Sequence, residues 1–171
     1  MARRLPWLYV NLGTAFLAAG VVGLFEETIK QWTVLAVFLP IVAGQGGNAG
    51  MQTLTVVIRD LALGEISKGD GRQAVVKELL LGICNGLAIG LLVGIIAFAW
   101  KRDLLLSSVA ATAMVLTQIA AGLCGVLIPF GLKSIKVDPA LAASIFVTTV
   151  TDIAGFFFFL GLAALGLRIL G

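Results

Sequence analysis

Asp152 stands in the middle of the last long apolar run, Leu141 to Leu167, between the threonines Thr148, Thr149 and Thr151 and the block Gly155-Phe156-Phe157-Phe158-Phe159. In a segment long enough to cross a bilayer, an ionisable group at mid-depth costs about 2.5–3.5 kcal/mol on insertion scales, so it normally faces water or a charged partner. Every lysine and arginine lies in a loop or at the end of an apolar run, so none is placed to neutralise it. A mobile cation is one source of the counter-charge, and protonation of the carboxyl is the other. Ser144, Thr148 and Asp152 are four residues apart and stack on one side of a helix, with Gly155 continuing that face. Threonines in membrane helices also bond their own backbone four residues back, so their hydroxyls have a bland alternative role.

A second polar face lies in an earlier run. The stretch from Pro40 to Thr53 holds four glycines and three amides where lipid-facing helices carry Leu and Val. Gln45, Asn48, Gln52, Thr55 and Arg59 recur at intervals of three and four, which sets them along one helical face. A packing face, with Gly44, Gly47 and Gly50 admitting a neighbouring helix and the amides bonding across the contact, is the competing reading, and the two are compatible. Pro40 and the glycines predict a bend or a locally opened turn. At the start of the last run, Asp138-Pro139 is a helix-start signal, Asp capping free backbone donors and Pro fitting the first helical position.

The elements that must position these residues are transmembrane helices. The chain is 60% hydrophobic and 12% charged, too apolar for a soluble domain of 171 residues. Five runs are long enough to span as helices, near Leu5–Phe25, Trp32–Ile58, Leu79–Trp100, Ser107–Leu132 and Pro139–Leu167. Their unbroken apolar character excludes a transmembrane barrel, whose strands alternate. The first run exceeds the ~7–15 residues of a signal-peptide core and counts as a retained helix. Placing the N-terminus in the cytoplasm and the C-terminus outside puts eight of the twelve basic residues inside, among them Arg3, Arg4, Arg59 and Lys133. The net charge of +3 is then the inside bias of a membrane protein and needs no nucleic acid. The longest polar connection, Arg59 to Glu78, reads as a solvated cytoplasmic loop. The fold class is therefore an all-α integral membrane protein of five transmembrane helices, multi-pass in the cell's inner (plasma) membrane.

With no histidine in the chain, imidazole zinc sites, Ser-His-Asp triads and histidine proton relays are excluded. Cys84 and Cys124 each lie within an apolar run, where packing is the default. The two polar faces supply only hard oxygen ligands, which points to Mg²⁺, Ca²⁺ or Mn²⁺. Closed two-fold dimers are the commonest oligomers, and a homodimer with the second and fifth runs at its axis would bring two Asp152 carboxylates together. Two like charges at close range are tolerated chiefly with a cation between them. Mg²⁺ keeps several waters and binds through one or two carboxylates, which suits so sparse a site better than it suits Ca²⁺.

The segments Arg4-Leu5-Pro6-Trp7-Leu8, Pro40 through Gly44-Gln45-Gly46-Gly47-Asn48-Ala49-Gly50-Met51-Gln52, and Asp138-Pro139-Ala140 through Thr148-Thr149-Val150-Thr151-Asp152-Ile153-Ala154-Gly155 resemble the transmembrane domain of the MgtE family of magnesium channels. The resemblance covers essentially the whole chain. It implies a homodimer of five-helix domains, a pore lined by the second and fifth helices, and a hydrated magnesium ion at Asp152. It further implies that the Thr148 carbonyl faces the ion, that Asn48 and Gln52 form the amide motif of the second helix, and that Asp138 contacts an ion as well as capping. Family members generally carry cytosolic magnesium-sensing domains ahead of the membrane part. This chain starts a few residues before its first helix, so residues 1–171 are expected to form a single pore domain without a sensing domain.

The expected function is a Mg²⁺ channel, not an enzyme, with Asp152, Thr148 and Asp138 as ion contacts and Gln45, Asn48, Gln52, Thr55, Ser144 and Gly155 as pore lining. Mg²⁺ is the transported ion, and the partners are a second copy and the lipid bilayer. A proton-coupled divalent-cation transporter, with Asp152 alternately protonated and metal-bound, is the alternative. An intramembrane aspartyl protease would need two membrane carboxylates sharing a proton, and only Asp152 is well inside a span.

Overall fold

A computed structural model of the chain describes residues 5–64 and 71–170. Glu65, Lys68, Gly69 and Asp70 of the expected cytoplasmic connection, and Arg3 and Arg4, lie outside the described residues. Six helices and no strand are found among the described residues: α1 (Leu5–Leu24), α2 (Glu26–Gln31), α3 (Leu35–Leu63), α4 (Gly71–Lys101), α5 (Leu104–Ser134) and α6 (Pro139–Leu170). Four of them, α1, α4, α5 and α6, are long and apolar enough to cross a membrane. The 29-residue α3 has ample length, about 43 Å at 1.5 Å per residue, but the amides of its middle and Arg59 and Asp60 at its end make it more polar than the others. The second expected span is therefore a helix whose composition alone does not mark it as a crossing.

The helices outrun the apolar windows read from sequence. α3 continues through Arg59 and Asp60 to a left-handed C-cap at Gly64, where φ is +72°, and α4 begins at Gly71, ahead of Glu78. Much of the expected Arg59–Glu78 loop is thus helical, because ends that project past the hydrocarbon need no apolar side chains to stay hydrogen-bonded. The polar link after α1 forms α2, whose exposed Glu27 and Glu26 flank Lys30 at 2.9 and 3.0 Å and hold its ammonium above the usual lysine range.

The bend expected at Pro40 does not interrupt α3, which is one continuous helix. The proline is only the sixth residue of that helix. Its missing N–H removes a single bond near the first turn, where Leu35, Ala36 and Val37 donate three residues back instead of four.

At the centre of the fold, α5 packs on α3, α4 and α6, while α1 lies against α6. Four glycines of α4, Gly82, Gly86, Gly90 and Gly94, are buried at four-residue intervals and meet Ile119, Val115, Ala111 and Ser107 of α5, themselves four apart. A Cβ at Gly90 would lie 2.7 Å from the Ala111 carbonyl oxygen, so the two backbones touch along their length. The Ser107 hydroxyl donates to the Gly94 carbonyl at 2.6 Å at the closed end of this hairpin. There Arg102 takes φ 55° and Asp103 caps α5 by accepting from the Leu106 N–H at 3.0 Å. The main core is apolar and joins Leu35, Phe38 and Val42 of α3 to Met114 of α5 and Phe159 and Leu160 of α6.

Asp138 caps α6 as its sequence position predicts, accepting from the Ala140 N–H at 3.0 Å immediately before Pro139. Asp138→Ala is expected to cost about 1 kcal/mol of stability, and Asp138→Asn a few tenths, since Asn caps comparably. Thermal melts of the purified protein in detergent check this, and equal melts for the two variants would remove the cap from the account.

Candidate functional site

α3 has two unlike faces. Leu35, Phe38, Val42, Gly46, Gly50, Leu54 and Val57, at intervals of three and four, are buried against α5 and α6. Gln45, Asn48, Gln52, Thr55 and Arg59 are all exposed on the other side. The register between the faces is fixed by close backbone approaches. A Cβ at Gly50 would stand 2.7 Å from Val147 Cγ1, and one at Gly46 would stand 2.5 Å from Thr117 Cγ2. From the opposite helix, a Cβ at Gly125 would meet Thr53 at 2.6 Å and the Gly50 carbonyl oxygen at 2.9 Å. The packing glycines are thus Gly46 and Gly50. Gly44, expected among them, has nothing within 4 Å, and Gly47 only the Thr151 hydroxyl at 4.0 Å.

Ser144, Thr148 and Asp152 of α6 are half-buried. The threonine hydroxyls donate back into their own helix: Thr148 to the Ser144 carbonyl at 2.9 Å, Thr149 to Ile145 at 2.7 Å, and Thr151 to both Val147 and Thr148 at 3.0 Å. The back-bonding role is therefore occupied, and what these residues still offer is oxygen lone pairs. The ion pairs among the described residues join Lys30 to Glu26 and Glu27, and Arg59 to Asp60, so no cationic side chain there neutralises Asp152. Gly155 lies apart from this set. It is buried inside the chain's own packing, 3.4 Å from Val42 Cγ1 and 3.5 Å from Thr117 Cγ2 measured from an ideal Cβ, because α3 passes directly over it.

Among the described residues no three His, Cys, Asp or Glu side chains gather into a metal-binding cluster. One protomer contributes a single mid-helix carboxylate from α6, with the hydroxyls of Thr148, Thr149 and Thr151 in the turn before it. Such a donor set suits a hard cation that keeps its own waters. The exposed Asp138 lies at the entry to α6, lining a hollow with Ile58, Leu61 and Ala62 of α3.

Sequence reasoning missed a second polar group. The Thr53 hydroxyl donates to Glu78 Oε2 at 2.8 Å, reaching from α3 to α4, and both residues line a cavity with Gln52, Asn85 and Gln118. Its signal was present in the spacing, since Glu78, Gly82 and Asn85 fall on one face of α4.

Residues 39–162 match the family model MgtE, described as a divalent cation transporter. The magnesium transporter MgtE of Bacillus subtilis is 36% identical over 161 residues, which is 94% of this chain and 36% of that protein. The magnesium transporter MgtE of Thermus thermophilus is 34% identical over 163 residues, 95% of this chain and 36% of the relative. That of Enterococcus faecalis is 31% identical over 167 residues, 98% of this chain and 37% of the relative. The chain thus spans a little over a third of the length of the curated relatives it matches.

Proposed function

The chain belongs to the MgtE family of divalent cation transporters, a multi-pass protein of the cell membrane, and from that premise we propose that residues 1–171 form a Mg²⁺-conducting pore unit which works as a homodimer. In this reading α3 also crosses, as the second of five spans, the N-terminus is cytoplasmic and the C-terminus external. α3 and α6 of two protomers line a shared axis. Gln45, Asn48, Gln52, Thr55 and Ser144 form the wall, and the two Asp152 carboxylates hold the ion. Thr148 supplies a backbone oxygen one turn away, and Asp138 a carboxylate near the cytoplasmic mouth.

The observation that carries the proposal is the uncovered polar face of α3. Its apolar side is already engaged with α5 and α6, so Gln45, Asn48 and Gln52 are left exposed on the other side. An amide facing hydrocarbon without a partner costs roughly 4–8 kcal/mol by transfer to cyclohexane. Three of them on one helix must meet water or a second copy. A water-filled axis flanked by two carboxylates selects a divalent cation, and Mg²⁺ with its waters retained needs no close-fitting cage.

Cysteine placed at Asn48, Gln52 or Thr148, with Cys84 and Cys124 replaced, is expected to react with a small cationic thiol reagent in membranes at least about tenfold faster than cysteine at Leu92. Leu92 is 53% exposed on α4, where lipid covers it. Rates at Asn48 and Gln52 no higher than at Leu92 would make the α3 face a dry packing surface and sink the pore.

A further inference from the structure

We infer that the cavity between α3, α4 and α5 is a second divalent-cation site, separate from Asp152, which holds the ion with its hydration shell against Glu78. The choice of ligand class rests on the divalent-cation function proposed above; the site itself rests on the residues that line it.

Glu78 is the one ionisable group in the cavity wall, and it is held in place. The Thr53 hydroxyl binds Oε2 at 2.8 Å, which fixes the carboxylate and leaves Oε1 to accept from something else. No ion pair to Glu78 occurs among the described residues. Gln118 enters the same space from α5. It is only 4% exposed, yet its amide makes no side-chain hydrogen bond among the described residues, so the polar atoms that keep contact with solvent do so through this cavity. With no protein partner, this amide turns its polar atoms to whatever fills the cavity, water or the hydration shell of an ion. Gln52 and Asn85 complete the polar wall, and Gln52 also belongs to the exposed stripe of α3, which makes the cavity a side branch of that face.

Size and lining constrain the occupant. The hollow measures about 190 Å³, space for several waters and so for an ion that keeps its hydration shell. Backbone sets its floor: a Cβ at Gly82 would lie 3.0 Å from Ile119 Cα, and one at Gly122 would lie 2.9 Å from the Glu78 carbonyl oxygen. The exposed Gln52, Val56, Leu81 and Asn85 form its open rim. The waters of a hydrated divalent ion are strong donors. Glu78 Oε1 and the amide oxygens of Gln52, Asn85 and Gln118 are the acceptors they need. A purely structural water cluster would be served as well by a glutamine at position 78, and that difference is what the experiment reads.

Mn²⁺ binding to the purified protein in detergent, followed by equilibrium dialysis with competition by Mg²⁺, tests the site. Wild type is expected to show one ion per protomer assigned to Glu78 and a further ion per two protomers assigned to Asp152. Glu78→Gln keeps the acceptor for Thr53 and is expected to lose the first class only. Asp152→Asn is expected to lose the second class only. Gln118→Leu is expected to weaken the first class about fivefold, the loss of one neutral hydrogen bond. Unchanged Mn²⁺ binding in a monodisperse Glu78→Gln protein overturns the inference. Should that variant aggregate, an unaltered isotherm for Gln118→Leu overturns it equally. A single class that vanishes in Asp152→Asn leaves the pore standing and removes the second site. A single class that vanishes in Glu78→Gln but survives in Asp152→Asn keeps the second site and removes Asp152 from the pore proposal.

Discussion

Asp152→Asn is expected to reduce Mg²⁺ flux on the order of a hundredfold or more while leaving the protein at least as stable as wild type. The two effects have opposite signs because they draw on different interactions. In the folded protomer the carboxylate has no cationic neighbour among the described residues, so removing its charge breaks no ion pair. A charged aspartate at mid-membrane carries an insertion cost of about 2.5–3.5 kcal/mol, and an amide of nearly the same shape escapes most of it. In the proposed dimeric pore the conducted ion, in contrast, loses its charged partners from both protomers at once. Breaking a buried charge contact costs roughly 3–5 kcal/mol, and each 1.4 kcal/mol is a factor of ten. Liposomes loaded with a Mg²⁺-sensitive dye report the flux, and a thermal melt in detergent reports the stability. Wild-type uptake by a well-folded Asp152→Asn protein would remove this residue from the pathway. A loss of flux accompanied by an equal loss of stability would reduce it to a structural role.

Much of the architecture was legible because helical period and apolar length leave a direct imprint. Gln45, Asn48, Gln52 and Thr55 share one face by spacing alone, and the structure leaves all four exposed. Asp138-Pro139 marked the start of α6 because capping is local chemistry. The packing ridge of α3 was not legible. The four glycines between positions 44 and 50 spread over nearly half of the helix circumference, and only the partners, Thr117 on α5 and Val147 on α6, select Gly46 and Gly50 over Gly44 and Gly47. The Gly82–Gly94 ladder of α4 passed unread for a related reason, since a small residue every fourth position looks like ordinary apolar filler until its neighbour is known. Gly155 falls by period on the same face as Ser144, Thr148 and Asp152, yet α3 crosses at that point and covers it. Glu78 shows a further limit. Charge near the end of an apolar window reads as loop, whereas its partner Thr53 lies 25 residues away in sequence. The spacing of Glu78, Gly82 and Asn85 marks a face of α4, but not the partner on α3 that this face meets.

Gly125→Val is expected to be among the most destabilising single changes in the chain, at about 3 kcal/mol, and to displace the polar face without touching it. A Cβ at this position already falls 2.6 Å from Thr53 Cβ, 2.7 Å from Thr53 Cγ2 and 2.9 Å from the Gly50 carbonyl oxygen. The first two contacts are with the inner end of a side chain and the third is with backbone, so no rotamer change relieves them. α3 must move away from α5. Overpacking of this kind costs typically 1–3 kcal/mol, and the two further methyls of valine place the change at the upper end. The displacement also carries Thr53 from Glu78, breaking the 2.8 Å bond, and shifts Gln52 on the adjoining face. Gly20→Ala in α1 is the matched control, because nothing lies within 4 Å of that position and an added methyl there is neutral or slightly stabilising to a helix. Thermal melts by size-exclusion in detergent separate the two, and Gly125→Ala falls between them. The same proteins in the cysteine-accessibility assay are expected to lose reactivity at Gln52 in the Gly125→Val background and to keep it with Gly20→Ala. A Gly125→Val protein that melts with Gly20→Ala would mean that α3 and α5 are not in contact through this glycine. With that contact gone, only Gly46 against Thr117 and Gly50 against Val147 would be left to fix which face of α3 is exposed.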